Sequence, residues 1–202
     1  MRWDNLFDDL ESQLEHELNA EEVDLHAEEE RLRLGRLSLR DRIMSLHEAA
    51  GRHPGGSSAI RLLLVGGERV DVAPAAFGKD WFSADLLGET ARQAQCIVPL
   101  AGIAGLVLSR SQVDASLTAR RGFEPAGTLA GRLGIAFVLR DLCRRRKPIE
   151  VRTADSTVFG TIDRVGRDHF DLAVHEPGEA RRESAVTQHQ VVRLSQLVLV
   201  RL

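Results

Sequence analysis

The sequence predicts an α+β protein in which one small all-β unit, a bent five-stranded barrel preceded by a helix, is stated twice behind a long acidic N-terminal helix. Two observations predict it. The first is an internal repeat: at an ungapped offset of 88 residues, Phe77-Gly-Lys-Asp-Trp-Phe82 falls on Val165-Gly-Arg-Asp-His-Phe170, Val70 on Val158 and Leu63 on Val151. A pattern restated at that distance outweighs any local propensity, because both copies must satisfy the same packing. The second is charge. Residues 1–30 hold twelve of the 30 carboxylates and, of the 27 lysines and arginines, Arg2 alone; their net charge is −11, and the remainder carries +8.

The acidic segment, residues 1–34, reads as a single helix. Trp3, Phe7, Leu10, Leu14, Leu18, Leu25 and Leu32 step by 3, 4 or 7, the spacing of one helical stripe, and carboxylates fill the other faces. Glu21 and Glu28 interrupt the seam, so its first half is the more continuous. Trp3, Phe7, Leu10, Leu14 and Leu18 are therefore the candidate surface for a protein partner or for coiled-coil self-association.

Residues 35–108 form the first helix-plus-barrel unit. A helix over 38–50 is predicted from the Ser38 N-cap and from Leu39, Ile43, Leu46 and Ala50 on one face; it ends at His53-Pro-Gly-Gly-Ser-Ser58, and strands begin at 59. Residues 109–127 are polar and Gly-containing and read as a linker. The second unit spans 128–202. Its helix, Thr128–Arg146, is expected to be capped by Thr128 with Leu129, Leu133 and Phe137 on one face, and its strands begin at 148. At an offset of 94, Val98–Ile103 falls on Val192–Leu197, so the second copy holds six extra residues around Glu176–Arg182, a hairpin loop.

The second copy reads Val151-x-Thr153-x-Asp155-Ser-Thr-Val158-x-Gly160-x-Ile162-x-x-Val165-Gly166. This resembles the first signature of Sm and Sm-like (LSm) proteins, in which alternating apolar residues and a turn lead to an apolar-x-Gly-x-apolar run on a bent second strand. Glycine within a strand permits the bend that closes so small a barrel. The first copy has Val72 at the Gly160 position and Pro74 at the Ile162 position. Ile97–Leu106 and Val191–Val200 resemble the last two strands of that fold, joined by a one-turn connection, and the resemblance covers about half the chain. It implies tandem Sm-like barrels, edge pairing and binding of single-stranded RNA. The chain departs from the family's RNA site: the loop after Gly160 is one residue longer and has no asparagine, and Val192-Arg-Leu194 and Val98-Pro-Leu100 replace the apolar-Arg-Gly step. The opening Met1–Glu11 also resembles that of an uncharacterised actinobacterial protein family, which adds no mechanism.

Candidate nucleic-acid contacts follow from charge and aromatic placement. Arg144, Arg145, Arg146 and Lys147 end the second helix, and four cations in a row exceed what offsetting a helix dipole needs. Trp81 and His169 share one repeat position, alternate away from Phe82 and Phe170, and stand beside Lys79 and Arg167, as rings that stack bases would. No catalytic, metal or cofactor motif is present: the seven histidines have no metal-ligand spacing, and no GxSxG, Walker loop or GxGxxG occurs. Cys96 and Cys143, 47 positions apart, read as reduced packed thiols. No apolar run approaches the ~20 residues needed to cross a bilayer, and no secretory signal is read, so a cytoplasmic protein without a membrane partner is expected. The leading expectation is a non-catalytic tandem Sm-like protein that binds RNA; the alternative is a protein–protein adaptor.

Overall fold

The computed structural model describes residues 22–52, 59–88, 94–118, 129–178 and 182–202. The chain divides into two compact units, Met1–Ser38 and Leu39–Leu202. In the first, residues 22–35 form helix α1, where Arg33 grips Glu30 one turn back (Nε to Oε2, 2.6 Å) and Val23, Leu25, Leu32 and Leu34 are exposed. The apolar seam Trp3–Leu18 lies outside the described residues.

The second unit is built on one antiparallel sheet of ten strands in the order β5-β1-β2-β3-β4-β10-β6-β7-β8-β9. The first five are β1 (Ile60–Leu64), β2 (Arg69–Phe77), β3 (Trp81–Leu87), β4 (Gln95–Pro99) and β5 (Ile103–Val107). The others are β6 (Pro148–Arg152), β7 (Thr157–Val165), β8 (His169–Val174), β9 (Gln188–Arg193) and β10 (Leu199–Arg201). Each half repeats the same order of neighbours, and the register repeats with it. Phe82 pairs with Phe77 and Val98, while Phe170 pairs with Val165 and Val192; both rings are fully buried. β2 bulges between Pro74 and Ala76, and β7 bulges 88 residues on, between Ile162 and Arg164. A 3-10 turn follows β4 (Leu100–Gly102) and another follows β9 (Leu194–Gln196).

The halves are not separate closed barrels; they share one open sheet. β4 of the first half pairs with β10 of the second, Ile97 opposite Val200 and Cys96 opposite Arg201. Pairing satisfies backbone groups that both strands would otherwise leave bare. The cores interlock accordingly: Val198 and Leu199 pack into the first cluster around Phe82 and Leu62, and Ile97 packs into the second around Phe170 and Leu139. At Gly160 on β7 a neighbouring backbone approaches closely, since a Cβ there would sit 2.4 Å from the Ala173 carbonyl oxygen.

Helix α2 (Leu39–Arg52) lays Ile43 and Leu46 on the first core. Two helical expectations need correction. The stretch read as a polar linker opens with helix α3 (Arg110–Leu117), started by a Ser109/Gln112 capping box and tied to α2 by Arg42 Nη2 to Ser116 Oγ at 2.8 Å. The expected single helix Thr128–Arg146 is two helices, α4 (Leu129–Arg132) and α5 (Ile135–Arg144), broken at Leu133-Gly134. Glycine at 134 lowers the cost of that break, and the new helix start is held from outside. Thr128 lies outside the described residues.

Candidate functional site: the Gly-x-Asp-aromatic turns and the sheet edges

The repeated string forms the same tight turn in each half, between β2 and β3 and between β7 and β8. Gly78 N–H donates to the Trp81 carbonyl and Gly166 N–H to that of His169, both at 2.8 Å. The Asp80 carbonyl accepts from Leu100 N–H (2.9 Å) and that of Asp168 from Leu194 N–H (2.8 Å), locking each turn to the 3-10 turn that follows. An arginine from the preceding helix caps each glycine carbonyl, Arg40 Nε at 2.8 Å from Gly78 O and Arg140 Nη2 at 3.4 Å from Gly166 O. The aromatic ring lies over the glycine in both turns, so a Cβ would meet Trp81 Nε1 at 2.0 Å in one and His169 Cε1 at 2.7 Å in the other.

The turns differ in what they hold. The first grips the start of α5: Asp80 Oδ1 accepts from Ile135 N–H (2.8 Å), while Trp81 Nε1–H and Lys79 N–H both donate to the Leu133 carbonyl (2.9 Å each). Gly134, the N-cap residue, has no side-chain acceptor of its own, so Asp80 supplies the cap from another element. In the second turn Asp168 is 78% exposed and bonds its neighbour His169 through Nδ1 at 2.8 Å. That hydrogen bond holds the Asp168 carboxyl below its ordinary range. Arg167, like Lys79, is exposed. Trp81 is thus half-buried against a helix start rather than a free stacking surface, whereas His169 keeps 45% of its side chain exposed.

The cationic cluster leaves α5 through Arg146, which adopts the left-handed conformation (φ 53°). Asp141 accepts from Arg144 Nη2 (2.5 Å) and Arg145 Nε (2.7 Å), and these bonds, Arg144's foremost, hold its carboxyl below the usual range. Arg146 Nη1 reaches Asp163 Oδ1 at 3.1 Å, and Lys147 is exposed. Three of the four cations therefore have carboxylate partners, and the cluster lies some distance in sequence from the Lys79–Trp81 turn.

The sheet ends in two edges that sequence reading did not single out. Among the described residues no strand pairs with the outer side of β5 or of β9. Val107 on β5 is 44% exposed and Val191 on β9 is 64% exposed. The offset of 94 was the signal: it sets Val191 on Ile97 and Leu106 on Val200, which the internal β4–β10 seam buries to 2% and 0% exposure. No helix among the described residues is long and apolar enough to cross a membrane. No family model, curated protein or solved structure matches the chain.

Proposed function

We propose that this chain is a non-catalytic scaffold protein of two Sm-like modules that acts through protein–protein contacts. The repeated strand order, the repeated bulge and the close approach at Gly160 support the Sm-like reading of each half. One observation carries the choice of partner class. Four of the eight groups that would contact RNA are engaged internally, Trp81 with Leu133, Arg144 and Arg145 with Asp141, Arg146 with Asp163, while apolar side chains stand exposed on both open edges. Open edges with exposed valine are surfaces that natural sheets avoid unless something pairs with them.

A second reading, RNA binding, is favoured by the +8 charge outside the first thirty residues. Exposed ion pairs such as Arg144–Asp141 are screened by water and contribute little, so a phosphate can displace the carboxylate at little cost. Affinity capture with the full chain after nuclease treatment, at low and high salt, separates the two. The scaffold reading expects bound proteins to survive both treatments, because apolar strand pairing is little screened. Tight single-stranded oligonucleotide binding that weakens steeply with salt would overturn it. In that case changing Arg144, Arg145, Arg146 and Lys147 to alanine would flatten the salt slope by ~0.7 for each phosphate no longer neutralised.

A further inference from the structure

We propose that the outer face of α5, Phe137 with Arg140 and Arg144, docks a short acidic helix of a partner protein that carries one aromatic or leucine anchor. This rests on the scaffold reading and names the chemistry of one partner. At 3.6 residues per turn the three side chains fall on one face of α5, opposite Ile135, Leu139 and Leu142, which are buried on the second core. Phe137 is 53% exposed, and among the described residues it is the one phenylalanine or tryptophan that stands exposed. A bare ring between like charges set four residues apart does nothing for the helix itself. Aromatic rings and arginines are the side chains that protein interfaces concentrate.

The other module shows such a helix with its flank covered. An offset of 96 sets Ile43 on Leu139 and Leu46 on Leu142, all four buried, so α2 and α5 are equivalent helices. At the places of Arg140 and Asp141 stand Met44 and Ser45, which are buried as well. Helix α3 lies against α2 there, tied by Arg42 to Ser116. Among the described residues no helix takes that place on α5. A single-helix seat is thus built into the module, and on α5 it is open.

The charge of the occupant follows from the cations. Arg140 has a backbone partner, Gly166 O at 3.4 Å, and no carboxylate among the described residues. Arg167, in the turn that Arg140 touches, is exposed. Arg144 and Arg145 share Asp141 in exposed pairs, which water screens and an incoming carboxylate replaces at little cost. Acidic residues of the partner meet these guanidiniums while its anchor covers the Phe137 ring.

Selection from a phage-displayed random peptide library on the immobilised full chain tests this, followed by fluorescence anisotropy with the selected peptides. They are expected to be acidic and to hold one tryptophan, phenylalanine or leucine. Phe137→Ala should weaken their binding about tenfold, the effect of removing an aromatic anchor, and Arg140→Glu should weaken it no less. The Arg140→Glu chain should in turn prefer peptides in which lysine replaces the acidic residues. Val191→Lys, at the sheet edge, should change nothing, and every variant should keep the wild-type circular dichroism spectrum. A library that yields no acidic binder, or selected peptides that bind Phe137→Ala and Arg140→Glu as they bind wild type, would overturn the proposal while leaving the scaffold reading to stand on nuclease-resistant capture. A single-stranded oligonucleotide that displaces the peptides, and itself loses affinity in both variants, would give the face to RNA and remove both readings.

Discussion

Asp80 and Asp168 occupy one position of the repeat, yet their replacement should have different consequences for the isolated chain. Asp80→Ala removes the acceptor for Ile135 N–H and a carboxylate from the positive end of α5. Loss of an N-cap costs about 0.5–2 kcal/mol, and because one carboxylate supplies both effects, the expected loss is ~1–2 kcal/mol in total. Gly134 has no side chain to compensate. Asp80→Asn keeps an oxygen acceptor and should cost less than half as much. Asp168→Ala removes a surface bond to the neighbouring half-buried histidine, and such surface changes are close to neutral. Urea unfolding, followed by circular dichroism at concentrations low enough that the midpoint no longer depends on dilution, measures both. With denaturant slopes of about 1–3 kcal/mol/M, Asp80→Ala should lower the midpoint by roughly 0.5–1 M and Asp168→Ala by little. Equal losses in the two variants would refute the assignment of the first turn as an external cap.

Three further outcomes are expected. Gly160→Ala brings a Cβ within 2.4 Å of the Ala173 carbonyl, a backbone atom that cannot swing away, and should cost about 1–3 kcal/mol in urea unfolding. Ile97→Ala at the internal seam should cost about 2–5 kcal/mol, whereas Val191→Ala at the equivalent open position should stay within about 0.5 kcal/mol for the dilute chain. Burial pushes the Cys96 thiol up to about 12, against ~8.5 when unfolded. The folded state therefore holds that proton more tightly, and its contribution is intact below pH ~8.5 and lost as pH rises towards 12. The melting temperature of wild type should fall relative to Cys96→Ala over that range, and parallel curves would contradict the burial.

The repeat was legible in the sequence because its anchors are residues whose roles are local. Phe82 and Phe170 must be buried beside a tight turn, and glycine at 78 and 166 must lie beneath a ring, so both copies keep Gly-x-Asp-aromatic-Phe. The helix break at Gly134 was not legible, since a Leu-Gly-Ile step reads as a continuous apolar face unless Asp80, 55 residues away, is known to cap it. The α3 helix does carry a local signal: Ser109-x-x-Gln112 is a capping box, obscured by the polar composition around it. The ion pairs that occupy the Arg144–Arg146 cluster were out of reach for a different reason. Asp141 is a helix neighbour that spacing alone identifies, but Asp163 comes from β7 and only the fold brings it close.

The apparent degeneracy of the first copy also has a physical origin. Pro74 stands where the family-like pattern has an apolar residue, and proline within a strand removes a ladder donor. It is tolerated because it lies at the bulge, where the ladder is already interrupted, and Ser83 Oγ accepts from Ala76 N–H at 3.1 Å just beyond it. Val72 replaces Gly160 and is fully buried in its own core, so the first copy fills with a side chain the space that the second gives to the close approach of the Ala173 carbonyl. Bulge position and register are nevertheless the same in both halves. The features that the two copies keep in common are therefore the ones that place the turn and the strand edges, Asp80 with β4 and Asp168 with β9. Interior positions that meet only their own core, such as Val72 and Gly160, are free to diverge, whereas the strand positions at the β4–β10 seam must satisfy both halves.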